Sequence, residues 1–126
     1  MIRNERGFTL IEIIAVLVIL GILAAVAVPR YFDMQTEARQ KAVQGAVAAL
    51  QSTATMEYAR NLLRSPTTST YAPTSPVVVG DFSGTIANVN GVVTVTVTGG
   101  PDWWDATIAG NAKSFRLYGD PPVPTP

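Results

Sequence analysis

Near its N-terminus the chain has a continuous apolar segment that carries a single charge. Residues Phe8 to Pro29 read FTLIEIIAVLVILGILAAVAVP, and Glu12 is the one ionisable residue among these 22. In helical form this length extends about 33 Å, which matches the roughly 30 Å hydrocarbon core of a bilayer. Arg3 and Arg6 precede the segment and favour a cytoplasmic N-terminus. The pattern therefore predicts a membrane-spanning helix over residues 8–29.

Beyond Pro29 the apolar residues become periodic, and the segment 30–64 is amphipathic. An i, i+4 row of apolar side chains, widened by Val43 and Val47, runs along it, and the charged residues lie mostly off that row. The row comprises Ala38, Ala42, Ala46, Leu50, Ala54, Tyr58 and Leu62. The pattern predicts that the helix continues to about Arg64 and packs its alanine-rich side on the C-terminal part of the chain.

After the helix the sequence predicts a loop and then short strands. A residue before proline disfavours the helical region, so the helix should end near Ser65-Pro66, and residues 65–76, SPTTSTYAPTSP, predict a surface loop. Asn90-Gly91 is typical of a hairpin turn. The strand candidates are Val77–Val79, Thr85–Val89, Val92–Thr98 and Ser114–Tyr118.

These elements together predict an α+β fold. A long N-terminal α-helix, whose first half spans the membrane, should pack on a small C-terminal antiparallel β-sheet. Residues 77–126 would then form a β-rich head, and its proline-rich tail, GDPPVPTP, should be extended.

The composition removes several classes of function. The 126-residue chain has nine basic and nine acidic residues, a formal net charge of zero, and no cysteine or histidine. The charge balance gives no electrostatic surface for nucleic acid, and the missing residue types exclude thiolate and imidazole chemistry. The sequence also lacks a phosphate-binding loop or a nucleophile motif. We therefore expect no enzyme, no metal or cofactor, and no nucleic-acid partner.

One interpretation of the apolar segment is a secretory signal peptide. Ala25-Val26-Ala27 has the small-x-small pattern of a cleavage site, and the mature chain would then begin at Val28. Glu12 argues against this interpretation, because a central acidic residue costs about 2.5–3.5 kcal/mol on insertion scales. A segment built for export alone has no use for a carboxylate there.

The junction with the apolar segment supplies a second interpretation. Residues 6–12 read RGFTLIE, directly ahead of the uninterrupted apolar run. This string closely resembles the prepilin signature of type IV pilins and type II secretion pseudopilins. The stretch from Pro29 to Thr53 is more weakly similar to MSHA-type pilins. The resemblance covers residues 1 to about 60 and implies a type IV pilin-like fold.

The resemblance also implies how the N-terminus is processed and used. Residues 1–7 would be a leader that is cleaved after Gly7, and the new N-terminal Phe8 would be N-methylated. Glu12 would serve assembly, and we expect its carboxylate to pair with the Phe8 amine of a neighbouring subunit. The alternative is a protonated, neutral Glu12 that has no such partner.

By the same resemblance, the chain is a structural subunit that polymerises into a type IV pilus-like surface filament. The implied partners are further copies of itself, a prepilin peptidase that also methylates, an assembly ATPase and an inner-membrane platform protein. The implied location is the inner membrane before assembly, as a single-pass protein with a cytoplasmic N-terminus, and the extracellular filament afterwards.

Two other roles stay open at the level of the sequence. The chain could be a pseudopilin of type II secretion, whose filament remains periplasmic, or a filament-borne adhesin or DNA-binding minor pilin. In the latter case Trp103 and Trp104 would be surface contacts, whereas the simpler expectation is that one indole covers the sheet and the other packs on a neighbouring subunit. The absence of cysteine departs from the many type IV pilins that close a C-terminal loop with a disulfide.

Gly21 and Pro29 are the weak points of the predicted helix. Glycine is a poor helix former, and an interior proline removes one backbone hydrogen bond and clashes with the preceding turn. Both a gentle kink and a segment that loses its helix on leaving the membrane are compatible with these residues.

Overall fold

The computed structural model describes residues 7–64 and 71–117, which form one helix and four strands. The helix α1 is Leu10–Arg64, and the strands are β1 (Val77–Val79), β2 (Phe82–Val89), β3 (Val92–Gly99) and β4 (Ala112–Arg116). The chain divides into two compact units, Met1–Glu37 and Ala38–Pro126. The predicted leader up to residue 6, the loop residues 65–70 and the tail from residue 118 lie outside the described residues.

The described part of the first unit is a helix whose apolar side chains are exposed. All residues from Gly7 to Met34 are exposed, and by length and composition this part of α1 could cross a membrane. The helix begins at Leu10 and continues without a break through Gly21 and Pro29. The loss of helix between these two residues during assembly stays a prediction.

The second unit contains an antiparallel sheet with the strand order β1-β2-β3-β4. Each strand therefore pairs with its neighbour in sequence. In the central pair, Thr85 lies opposite Thr96 and Val89 lies opposite Val92. The predicted hairpin turn is confirmed, because Asn90 and Gly91 both have positive φ, 53° and 78°, as a two-residue type I′ turn requires.

Three of the predicted strands differ from the observed ones in their bounds, and β3 does so only by ending at Gly99 instead of Thr98. β2 begins at Phe82 and not at Thr85. A register shift between Ser83 and Gly84 lets its pairing with β3 continue toward the N-terminus, past Gly84. β4 is Ala112–Arg116, so the predicted start at Ser114 is wrong. Alanine and lysine are weak strand formers, and pairing with β3 extends the strand over them.

The helix packs on this sheet through a core of aliphatic side chains. From α1 the buried residues are Val43, Ala46, Val47, Leu50 and Ala54, and from the sheet they are Ile86, Val93, Val95 and Val97. The alternation of β3 places every second residue from Val93 to Val97, each of them a valine, in the core, as its sequence predicts. The long helix and the small antiparallel sheet confirm the predicted α+β fold.

The predicted apolar row on the helix is correct only in its middle. Ala46, Leu50 and Ala54 are buried, whereas Ala38 and Ala42 are exposed. A step of four residues turns the helix by about 40° more than one revolution, so a strict i, i+4 row winds away from the sheet. The helix residues that are buried against the sheet form a shorter stretch, and they are spaced by three and four residues.

In the described part of the loop after the helix, residues 71–76, one residue is buried despite the polar composition. Tyr71 is 3% exposed and belongs to the core, so the prediction of a surface loop is wrong at this residue. Two polar partners make its burial favourable, as described below.

Candidate functional site

The start of α1 is built around the carboxylate of Glu12. The backbone N–H of Thr9 donates to Glu12 Oε2 at 2.9 Å, and the Thr9 hydroxyl donates to the same oxygen at 3.0 Å. In return the Glu12 N–H lies 3.4 Å from Thr9 Oγ1. This reciprocal arrangement is a capping box, in which a threonine at the N-cap and a glutamate three residues later satisfy each other's backbone groups.

Glu12 was predicted from the sequence as a site residue, whereas Thr9 was not. The signal was present, since a threonine followed three residues later by glutamate, directly before an apolar run, is a helix-start pattern. Within the described chain both bonds to the carboxylate end on Oε2. The carboxylate therefore has a partner in its own chain before any neighbour is present.

Phe8 lies beside this cap and is 87% exposed. With Glu12 it borders an open apolar cleft of about 390 Å³, which Ile13, Val16 and Leu17 complete. The predicted processing residue Phe8 and the predicted assembly residue Glu12 are thus brought together at one end of α1. Gly7 directly precedes them, and a Cβ added to it would meet no other described atom within 4 Å.

A second polar cluster ties the end of α1 to the sheet. The Tyr71 hydroxyl donates to Glu57 Oε2 at 2.9 Å, and the Thr74 N–H donates to the same oxygen at 3.2 Å. The Asn88 side chain on β2 donates to the Tyr71 carbonyl at 2.8 Å. Burial, and secondly the hydrogen bond and negative charge of Glu57, raise the pKa of Tyr71. The tyrosine therefore stays a neutral donor.

Trp103 is packed within its own head. Its ring lies 5.8 Å from the ring of Phe82 in an edge-to-face arrangement, and the Arg39 guanidinium lies 5.9 Å from the Trp103 centroid. Such contacts contribute to stability beyond the area they bury. Sugar stacking would need a free ring face, and these partners favour the packing interpretation over a surface contact.

Trp104 also packs against the core. Gly100 makes this possible, because a Cβ at that position would lie only 2.8 Å from the Phe82 ring and 2.9 Å from the Trp104 ring. The indole Nε1 is buried and has no hydrogen-bond partner among the described residues. The prediction that one indole packs on a neighbouring subunit stays a prediction.

No group of three or more acidic side chains in the described part of the chain is arranged to hold a metal ion. Asp105 has a local task instead: its Oδ1 accepts the Thr107 N–H at 2.7 Å. That backbone hydrogen bond, together with the Thr107 side chain, lowers the pKa of Asp105.

Comparison with known proteins identifies the N-terminal segment. Residues 2–28 match the family described as the prokaryotic N-terminal methylation motif. The major component of the type IV narrow pilus of Thermus thermophilus is 51% identical over 49 residues, which cover 39% of this chain and 42% of that protein. A fimbrial protein of Neisseria meningitidis is 39% identical over 95 residues, 74% of this chain and 55% of the other.

A third relative comes from a secretion system. Core protein G of the type II secretion system of Dickeya chrysanthemi is 48% identical over 69 residues, 54% of this chain and 44% of that protein. The chain thus spans about half the length of these curated relatives. No solved structure gives a significant match.

Proposed function

Because the chain carries the N-terminal methylation motif and its curated homologues are type IV pilins and core G proteins of type II secretion, we propose that it is a structural subunit that polymerises into a filament. Before assembly the subunit resides in the inner membrane with a cytoplasmic N-terminus. After assembly it forms a type IV pilus-like filament on the cell surface.

One observation carries this proposal. Every described residue from Gly7 to Met34 is exposed, including large side chains such as Leu10, Ile11 and Leu23, which are 60–76% exposed. A soluble monomer does not leave so much contiguous apolar surface in water. Lipid tails cover this surface in the membrane, and the helices of neighbouring subunits cover it in the filament.

Processing generates the charge that Glu12 needs in the filament. Cleavage after Gly7 frees the amine of Phe8, four residues before Glu12 in sequence, and N-methylation keeps that amine basic. In the membrane, Thr9 supplies donors to the carboxylate. In the filament, the Phe8 amine of a neighbouring subunit pairs with the same carboxylate, in an apolar setting where an opposite charge is worth far more than in water.

The proposal also includes the proteins that would act on the subunit. A prepilin peptidase would cut and methylate at Gly7 and Phe8, and an assembly ATPase with an inner-membrane platform protein would drive polymerisation. Both tryptophans, Trp103 and Trp104, pack against the core of their own chain.

The experiment that tests this proposal is mass spectrometry of the mature protein, isolated both from membranes and from filaments sheared off cells. We expect a chain that begins at Phe8 and is heavier by one methyl group, present in both fractions. A mature chain beginning at Val28 would support the signal-peptide interpretation and would contradict the proposal.

A second candidate function is a type II secretion pseudopilin, which the similarity to core protein G favours. The two functions share the processed N-terminus. They differ in whether the filament extends from the cell surface or stays in the periplasm. Recovery of the subunit from sheared surface filaments supports a pilus, whereas a filament confined to the periplasm, together with a loss of protein export on deletion, supports a pseudopilus.

A further inference from the structure

Asn90 is the one asparagine of the chain that is followed by glycine. The five asparagines of the sequence precede, in order, Glu5, Leu62, Val89, Gly91 and Ala112. An asparagine carboxamide can react with the backbone nitrogen of the next residue, because this attack closes a five-membered ring. A side chain on the next residue hinders the approach, and glycine has none. The sequence therefore makes Asn90 the most reactive asparagine.

The structure leaves the Asn90 side chain free to react. Asn90 is exposed, and within the described part of the chain its carboxamide forms no hydrogen bond. The Asn88 side chain, by contrast, donates to the Tyr71 carbonyl at 2.8 Å. That of Asn111 donates to the Ala106 carbonyl at 2.8 Å. These bonds fix both carboxamides, whereas that of Asn90 can rotate toward the backbone.

The nitrogen that would be attacked is not part of the strand pairing. Val89 pairs with Val92 across the turn, so the turn hydrogen bond joins these two residues and leaves the Gly91 N–H outside the ladder. Gly91 itself is buried, and the reaction therefore needs a brief opening of the turn to solvent. Turns open at a lower free energy than core strands, so folding should slow the reaction without suppressing it.

We propose that Asn90 is a site of spontaneous deamidation. Hydroxide removes the proton of the Gly91 N–H, and the nitrogen bonds to Asn90 Cγ while the side-chain amide takes a proton from water and leaves as ammonia. Water then opens the resulting succinimide. Opening at the Cγ–N bond gives aspartate, and opening at the backbone carbonyl gives isoaspartate, in which the main chain runs through Cβ and Cγ. The net reaction converts an amide and water to a carboxylate and ammonium.

Either product changes the head. Both place a negative charge at the exposed tip of the β2–β3 hairpin. Isoaspartate also adds one carbon to the main chain between residues 90 and 91. A two-residue turn with positive φ at both positions, 53° and 78° here, does not accommodate this extra length without distortion. The isoaspartate form should therefore loosen the hairpin. In a filament the modified heads would accumulate with age, an extension that rests on the proposed function.

The burial of Gly91 supports a competing explanation, in which the folded turn protects Asn90. The two explanations differ in whether the folded chain reacts. The experiment incubates the full chain in a nonionic detergent at mildly alkaline pH, with and without urea. Tryptic peptide mapping locates the mass change, and labelling by isoaspartyl methyltransferase detects isoaspartate. We expect conversion at position 90 in the folded chain, faster conversion in urea, and unchanged Asn88 and Asn111 in the folded chain.

Asn90→Gly is the matched control, because Gly-Gly also forms type I′ turns but has no carboxamide. This variant should give no isoaspartate label in the folded state. Conversion in urea without conversion of the folded chain would overturn the proposal, and so would a label that Asn90→Gly retains. Both results leave the proposed filament function intact, since the measurement is made on the subunit.

Thermal unfolding tests the effect on the hairpin. After incubation the parent chain should unfold at a lower temperature than before, in proportion to its isoaspartate content, whereas Asn90→Gly should keep its midpoint. Asn90→Asp carries the charge from the start and separates its effect from that of the lengthened main chain. An unchanged midpoint in a chain rich in isoaspartate would overturn the predicted loosening.

Discussion

At the scale of single residues, Glu12 shows what the sequence could predict and what it could not. A carboxylate in an apolar run is conspicuous, so its importance was evident from the composition of the segment. Its partner Thr9 was not evident. A charged carboxylate suggests a charged partner, such as the amine of another chain, before it suggests a hydroxyl three residues away. The capping box at Thr9 adds a role within the subunit, and the two roles make different predictions.

Glu12→Ala should block incorporation into filaments while cleavage and membrane insertion persist. Alanine makes the span more apolar, and Gly7 and Phe8 remain for the peptidase. An uncompensated Phe8 amine at each contact costs about 3–5 kcal/mol. Glu12→Gln should fail nearly as badly, and Glu12→Asp should retain some assembly. The ratio of processed subunit in membranes to subunit in sheared filaments measures this, and abundant Glu12→Ala filaments would refute the pairing.

Thr9→Val should have a smaller effect than Glu12→Ala. The substitution removes the hydroxyl bond to Glu12 but keeps the backbone N–H that donates to the same oxygen. Loss of an N-cap side chain costs about 1 kcal/mol, so filaments should form in reduced amount. The same filament assay serves, with Thr36→Val as a matched hydroxyl removal inside α1. Equal losses from both threonine variants would show that the cap has no special role.

Tyr71 is the second residue whose role the sequence did not reveal. Its loop is rich in Ser, Thr and Pro, and nothing in that composition indicates that one tyrosine turns inward to Glu57. Tyr71→Phe keeps the ring and loses the hydrogen bond to a carboxylate, for which we expect a loss of about 1–2 kcal/mol in the free energy of unfolding. Urea titration of the chain that lacks residues 1–35, which retains Tyr71 and Glu57, measures this loss. An unchanged midpoint would contradict the role assigned to Glu57.

The raised pKa of Tyr71 adds a dependence on pH. Below the ordinary tyrosine pKa of about 10, both the folded and the unfolded chain keep this proton, so stability is unaffected. Above it the unfolded chain releases the proton first, and stability therefore falls as pH rises toward the folded-state pKa. Tyr71→Phe should remove this alkaline loss, which unfolding curves between neutral and strongly alkaline pH would reveal.

At the scale of elements, the sequence predicts the two sides of the helix–sheet contact unequally well: the alternation of β3 is a better guide than the apolar row of the helix. β3 alternates strictly, and its buried valines were predictable one by one. The helix face was predictable only in part, because an apolar row does not state which segment of it meets the sheet. The extension of β2 back to Phe82 depends on a register shift between Ser83 and Gly84. Gly84 was the local signal for it, because a glycine inside a strand often marks a bulge.

Gly84 on β2 lies directly against the side chain of Leu50 on the helix. A Cβ at this position would overlap Leu50 Cδ1 and lie 2.7 Å from the Thr96 carbonyl oxygen. Leu50 is fully buried, and neither atom can move cheaply. Gly84→Ala should therefore destabilise the head by about 1–3 kcal/mol, the range for overpacked cores.

Gly45→Ala is the matched control for Gly84→Ala. Gly45 lies in α1, and its added methyl group would have no described atom within 4 Å. Here the higher helix propensity of alanine should stabilise by up to about 1 kcal/mol. Thermal unfolding should show a lower midpoint for Gly84→Ala and a higher midpoint for Gly45→Ala than for the parent. A stabilising Gly84→Ala would contradict the close packing of α1 on β2.

At the scale of the whole molecule, the chain combines a unit that needs neighbours with a unit that has its own core. The described residues of the first unit bury no apolar side chain, and the buried core lies entirely between Val43 and Leu117. The hydrophobic pattern of the sequence changes at Pro29, whereas the two units divide between Glu37 and Ala38. The sequence did not predict the strand order, which decides which strands lie at the outside of the sheet.

A chain that lacks residues 1–35 should be a soluble monomer. It keeps the whole core, including Leu50 and the valines of β3, and loses the exposed apolar residues that require lipid or neighbours. Light scattering after size-exclusion chromatography would measure its mass. Filaments formed by this fragment would refute the assignment of assembly to the N-terminal half, and retention of DNA or glycan by the purified fragment would revive the adhesin alternative.

The order of the strands has a further consequence for how the head acquires its structure. A head delivered across a membrane must fold on the far side from an extended chain. Every strand here pairs with the one next to it in sequence. Two of the three pairings close two-residue turns and the third closes residues 100–111, and such short-range topologies fold quickly. The meander can thus form without waiting for any distant segment. Docking of the helix residues Val43 to Ala54 onto the finished sheet is then the long-range event.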